Sequence, residues 1–261
     1  MEIISKISKG TKMDQIYISK NRQGLDIGTY VKIIPIEETI IKRPYFYNIK
    51  EIEPIKLEII NKIFNTLEKT LKSENIIITG SFLEKGFNFN DIDILLIKEG
   101  KTNEKNIQKQ IEDSLKIKIH LISMTEKEFR KALTLDPIWR LAVNKSVSIK
   151  RIPPLPRIKL DYKYLDLQQL KSNLLLVNFN YSSGNEKYKL VRNLIAIYLF
   201  TQNKKLTKKT VEKEIEKKFN IEIDDLNKNI VSKDFLKRYK SFYNNFENKI
   251  IKNAAKQEKA D

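Results

Sequence analysis

The chain has 261 residues and a mass of 30.8 kDa, long enough for one substantial core plus a smaller unit. With 41% hydrophobic and 32% charged residues it reads as a soluble globular protein, and the absence of cysteine excludes disulfides and thiolate metal sites. The formal charge of +17, from 50 Lys and Arg against 33 Asp and Glu, points to a polyanionic partner, a lysine-biased proteome being the other source of such a surplus.

No apolar leader with a small-residue cleavage site opens the sequence, and apolar runs such as LIAIYLF (194–200) are far too short to span a bilayer. The expectation is a cytoplasmic protein without membrane contact.

Residues 1–36 read as a small β unit. DQIYISK alternates, with Ile16 and Ile18 on one face. Gly24 and Gly28 supply turn positions, and YVKIIPI reads as a second strand. The segment IYISKNRQGLDIGTYVKIIP resembles the half-barrel of AbrB-like swapped-hairpin regulators. That resemblance implies a homodimer and a DNA grip from Lys9, Lys12, Lys20 and Arg22. An ordinary hairpin packed on the next domain is the competing reading.

Residues 37–54 read as a connector interrupted by Pro44 and Pro54. From Ile55 to Lys72, Ile55, Ile59, Ile63 and Leu67 recur every four residues beside Ile60, Phe64 and Leu71, the stripe of a helix lying on a sheet. IIIT and DIDILLIK then read as strands, joined by a turn and loop: the run ITGSFLEKGFNFNDIDILLI spans 78–97. Residues i and i+2 of a strand share a face, so Asp91 and Asp93 present two carboxylates side by side while Ile92, Ile94 and Leu96 point the other way. Two like charges beside an apolar strand need compensation, and a divalent cation with hard oxygen ligands supplies it.

Gly80-Ser81, Gly86 and Asp91-x-Asp93 in this order resemble the signature of the polymerase-β-like nucleotidyltransferases over about residues 55–150. The resemblance implies that Gly80 and Ser81 hold a nucleoside triphosphate, and that Asp91 and Asp93 bind Mg²⁺ or Mn²⁺. It implies a third carboxylate on the strand two elements later. That strand is LKIKIHLIS, and the matching position is His120, the one histidine of the chain. Alternation places Lys118, His120 and Ile122 on one face, toward the two aspartates. An imidazole can take a proton from a hydroxyl near neutral pH, though it brings no negative charge to a second metal. Three readings stand: His120 as catalytic base, as a structural or substrate-contacting residue, or a shifted register in which Glu112 or Asp113 supplies the acid.

Thr125 with Glu128 three residues on has capping-box spacing for a helix over TEKEFRKAL. Between Arg140 and Lys171 stand eight basic and two acidic residues, and residues 151–163 with RIPPLPRIK read as a stiff linker. Arg140, Lys145, Lys150, Arg151 and Arg157 are candidates for a nucleic-acid groove, or for a solvated joint. Residues 164–255 read as helices with apolar i, i+3/i+4 spacing, one of them capped by Thr207. Arg192-Asn193 resembles the start of the HEPN ribonuclease motif, but no histidine follows, so RNA cleavage by that route is not expected. Arg192 reads as a structural residue or a phosphate contact. Tyr239, Phe242, Tyr243 and Phe246 at helical spacing read as core rather than a base-stacking platform.

The expectation is an α+β protein: a β unit, a minimal nucleotidyltransferase domain with a mixed sheet and flanking helices, and a helical domain. It would transfer a nucleoside monophosphate to an acceptor hydroxyl, RNA or tRNA being favoured by the charge. The rival is a catalytically silent RNA- or DNA-binding or antitoxin-like module, for which a partner protein is a further candidate.

Overall fold

In the computed structural model, which describes residues 5, 7–18, 20, 24–31, 33, 43–71, 73–100 and 103–259, the first regular element is a short hairpin. β1 (Ile7–Ser8) pairs antiparallel with β2 (Gln15–Ile16). Within DQIYISK, Gln15–Ile16 thus pairs with the segment before it. Tyr30, Val31 and Ile33 lie in no strand, and the rest of the strand expected over YVKIIPI falls outside the described residues. Gly24 and Gly28 take the positive φ expected of turns. Contacts divide the chain into Met1–Ile40 and Ile41–Asp261.

The second unit is built on a five-stranded sheet. Its strands are β3 (Tyr45–Tyr47), β4 (Asn75–Thr79), β5 (Ile92–Ile97), β6 (Ile119–Met124) and β7 (Ser146–Ser148), in the order β3-β7-β4-β5-β6. All neighbours are antiparallel except β5 and β6, which run parallel. β3 comes from the stretch read as connector, and β7 from the basic joint. The protein is α+β, about 53% helical, with this mixed sheet and the small hairpin sheet.

The sheet is covered on both faces. α1 (Pro54–Thr70) and α2 (Glu104–Leu115) cover one face, where Ile60, Ile63, Phe64, Leu67, Ile107 and Ile111 pack on Ile76, Ile78, Ile92, Ile94, Leu96, Ile119 and Leu121. α3 (Glu126–Leu135) and α4 (Pro137–Asn144) cover the other face, where Phe129, Leu133 and Val143 meet Ile77, Leu95 and Ile97. Burial on both sides explains why IIIT and ILLI are continuous apolar runs, each buried side chain contributing ~1.5–3 kcal/mol. Within α1 the buried stripe includes Lys56 and leaves Ile55 48% exposed, a shift of one position from the expected stripe. The α3 capping box is formed by Thr125 and Glu128.

α4 joins sheet and helices. Val143 and Trp139 face the sheet, while Ile138 and Leu141 pack on the helical core. That core is made by α5 (Tyr162–Val177), α6 (Gly184–Thr201), α7 (Lys208–Phe219), α8 (Ile223–Asn227) and α9 (Lys233–Gln257). Thr207 caps α7, and Tyr239, Tyr243 and Phe246 are buried in aromatic packing as expected. Among the described residues, no helix is long and apolar enough to cross a membrane.

Candidate active site

Strand register builds the site. Thr79, Asp93 and His120 lie abreast on β4, β5 and β6, one row beyond Ile77, Leu95 and Ile122. The apolar row is buried against α3 and α4; the polar row stands at the end of the sheet, past that cover. Both Asp93 and His120 are partly solvent-exposed, and His120 Nδ1 lies 3.0 Å from Asp93 Oδ1. His120 therefore takes the place beside the aspartate that the resemblance reserves for a carboxylate.

The register alternative does not arise. α2 lies on the opposite face of the sheet, and the Glu112 carboxylate accepts hydrogen bonds from the Ile119 amide at 2.8 Å and from Gln108 at 3.1 Å. The Ile119 amide first, then Gln108, hold the Glu112 carboxyl below its ordinary pKa.

Gly80 brings the turn against Asp93. Its φ of 86° and ψ of −165° lie in a region open essentially to glycine alone. A Cβ there would stand 2.1 Å from Asp93 Oδ2. The backbone at Gly80 thus abuts the carboxylate, and Ser81 follows, exposed, at the start of a 3₁₀ turn over Ser81–Leu83. Asp91 is the half-buried residue just ahead of β5. Its two-residue spacing from Asp93 on extended chain sets both carboxylates at this sheet end.

One residue that sequence reasoning missed is Lys56. It is fully buried, donates to the backbone oxygens of Glu84 and Gly86 at 2.5 Å each, and pairs with Glu53 at 3.1 Å. The rings of Phe82, Phe87 and Phe89 lie 5.3–5.8 Å from its ammonium. Glu53 also accepts from the Gly86 amide at 2.6 Å. That bond first, with help from Lys56, lowers the Glu53 carboxyl from 4.5 to about 2. Together Glu53 and Lys56 pin the loop between Gly80-Ser81 and Asp91. The available signal was a lysine inside an apolar helical stripe, next to a loop with three phenylalanines.

The helical domain meets the Gly80–Asp91 loop at Glu84. Lys145, after α4, and Lys208, opening α7, both reach Glu84 Oε2, at 3.0 and 3.1 Å. Burial raises the Glu84 carboxyl, but the two lysines outweigh it and hold the pKa below its ordinary value. From α6, Tyr188 donates to Glu212 at 2.8 Å. Arg192, half-buried, bonds the Asn193 side chain. Burial lowers the Arg192 pKa, while Tyr188, Asp93 and Glu212 act against that.

The other basic candidates divide. Arg140 is buried, donates to the Pro156 carbonyl and lies over the Phe200 ring, so the fold occupies it rather than a groove. Lys145 is held by Glu84. Lys150 is exposed and donates to the Ser73 carbonyl at 3.3 Å. Arg151 and Arg157 are exposed. Lys9, Lys12 and Lys20 are exposed in the N-terminal unit, and Arg22 lies outside the described residues.

No family model matches this chain, and no curated protein or solved structure is detectably similar to it. Function is therefore argued from the site itself. Among the described residues, no three His, Cys, Asp or Glu side chains gather into a metal cage. Two carboxylates do fit Mg²⁺ or Mn²⁺, which are commonly held by one or two carboxylates together with substrate phosphates.

Proposed function

We propose that the chain is a polymerase-β-like nucleotidyltransferase that moves a nucleoside monophosphate from a nucleoside triphosphate to an acceptor hydroxyl, with RNA as the acceptor class. The observation that carries this reading is the contact between its two motif halves. The Gly80 backbone, in a conformation reserved for glycine, rests on the Asp93 carboxylate. A fortuitous pair of acids has no need of that glycine.

In this reading Ser81 and Arg192 bind the phosphates, and Asp91 and Asp93 hold the divalent cation. The cation offsets the charge of the phosphates. The acceptor oxygen forms a bond to the α-phosphorus, the bond to the bridging oxygen breaks, and pyrophosphate leaves with the electron pair. Asp93 accepts from His120 Nδ1 and orients the ring, so that Nε2 can take the proton of the acceptor hydroxyl. The fixed Glu53–Lys56 loop keeps Gly80-Ser81 in place while this happens.

A second reading, a catalytically silent nucleic-acid-binding module, draws on the histidine at the third position, since it leaves only two carboxylates to hold metal. One assay separates them. The protein is incubated with each α-labelled nucleoside triphosphate, Mg²⁺ or Mn²⁺, and total RNA. Label transfer is expected from the wild type and lost in Asp91→Ala/Asp93→Ala. His120→Ala is expected to slow transfer by ~10²–10⁴-fold, with partial recovery in His120→Asp. Absence of transfer with every nucleotide, alongside RNA binding that the double variant leaves intact, establishes the silent module instead.

A further inference from the structure

α5 is apolar on two sides. Leu165, Ser172 and Leu175 face inward, toward the helices α6 and α9 that pack on it. On the outer side Leu167, Leu170, Leu174 and Val177 are 64%, 46%, 51% and 71% exposed, and Tyr181, just past the helix, is 89% exposed. The four on the helix follow one another at steps of 3, 4 and 3 residues, the alternation that forms a straight seam for a second helix. Contiguous exposed apolar side chains of this kind commonly mark an interaction surface.

The flanks say what covers it. With Leu167 and Leu174 as one core position and Leu170 and Val177 as the other, Asp166 borders the seam on one side and Lys171 on the other. Asp166 is half-buried on one flank, and Lys171 is exposed on the opposite flank. The seam is thus self-complementary in one orientation. Side by side and parallel, Asp166 of each copy meets Lys171 of the other, five residues on. Antiparallel, with the two seams in full overlap, Lys171 would face its own copy and Asp166 would find no lysine.

We propose that a second copy of this chain covers the α5 seam, the two α5 helices running parallel about a two-fold axis. The dimer does not depend on the proposed chemistry, and its test does not read activity. Because the chain has no cysteine, single substitutions report the pairing directly. Wild-type protein should sediment at twice 30.8 kDa. Leu170→Cys, at a position that meets its own copy in a parallel pair, should give a covalent dimer under mild oxidation. Leu155→Cys, an equally exposed leucine in the linker, should not. Leu170→Lys should weaken association at least tenfold while leaving the circular dichroism melt in place. Three outcomes overturn the proposal: a wild-type monomer; cross-linking of Leu170→Cys no greater than that of Leu155→Cys; or cross-linking only in mixtures of Leu170→Cys with Leu174→Cys, which marks an antiparallel pair. A dimer made elsewhere, by the N-terminal unit for instance, falls under the second.

Discussion

At the residue scale the site turns on Gly80. Two demands meet there: a backbone conformation that side chains resist, and a carboxylate oxygen 2.1 Å from where a Cβ would be. Gly80→Ala is expected to cost about 1–3 kcal/mol in the melt from the backbone alone. It should also abolish nucleotide transfer, because Asp93 must move. Gly86→Ala is the control: its φ of 82° is also strained, but a Cβ there meets nothing within 4 Å. It should lower stability and spare most of the transfer. Equal loss of activity in both would mean that the Gly80–Asp93 contact is unrelated to the site. That Asp93 shares a face with Asp91, and His120 with Lys118, was legible because alternation along extended chain is a local rule. The 3.0 Å contact between Asp93 and His120 was not, since it needs the parallel register of β5 on β6. The role of Lys56 was hidden for a similar reason. A lysine in an apolar stripe is interpretable once the carbonyls it satisfies are known.

At the scale of elements, the loop from Gly80 to Asp91 is held by Glu53 and Lys56 at the start of α1. The Glu53 carboxyl, depressed to about 2, stabilises the folded loop above its unfolded value of 4.5, and this contribution is lost as the pH falls from about 4.5 to about 2. Thermal melts of wild type and Glu53→Gln between pH 6 and pH 2 should show a gap in Tm that is full at pH 6 and closes by pH 2. A gap that stays constant with pH would refute the linkage. Helices with clear periodicity, such as α1, α3, α6, α7 and α9, were legible from sequence, with α3 and α7 capped at Thr125 and Thr207. The strands β3 and β7 were not. Each has three residues, too few to show alternation, and they exist because β7 finds β4 and then β3 finds β7. α4 was likewise overlooked: it starts on Asp136-Pro137 and carries apolar residues toward both the sheet and the helical core, so neither face reads as polar.

For the whole molecule, the proposed function and the +17 charge together predict RNA binding that is steeply salt-dependent. If five phosphates of a single strand are neutralised, affinity should fall on the order of 10²-fold between 50 and 200 mM salt, from a slope of about −0.7 per contact. Affinity for total RNA measured across that range checks it, and a flat profile would dismiss nucleic acid as the partner. Arg151 and Arg157 are the exposed linker residues whose loss should flatten the slope; Arg140, held in the fold by Pro156 and Phe200, should instead lower stability when replaced.

Sequence by itself determined the chemistry available: two carboxylates on one strand face, a Gly-Ser turn before them, one histidine on a later strand, no thiols and a large positive charge. These follow from local geometry, which acts over a few residues. Tertiary structure decided which of those groups meet. It set His120 against Asp93 through strand register, seated Gly80 on the same carboxylate, and left the α5 seam uncovered. Such contacts join residues far apart in the chain, and they form only when the sheet and the helical core pack on the two sides of α4.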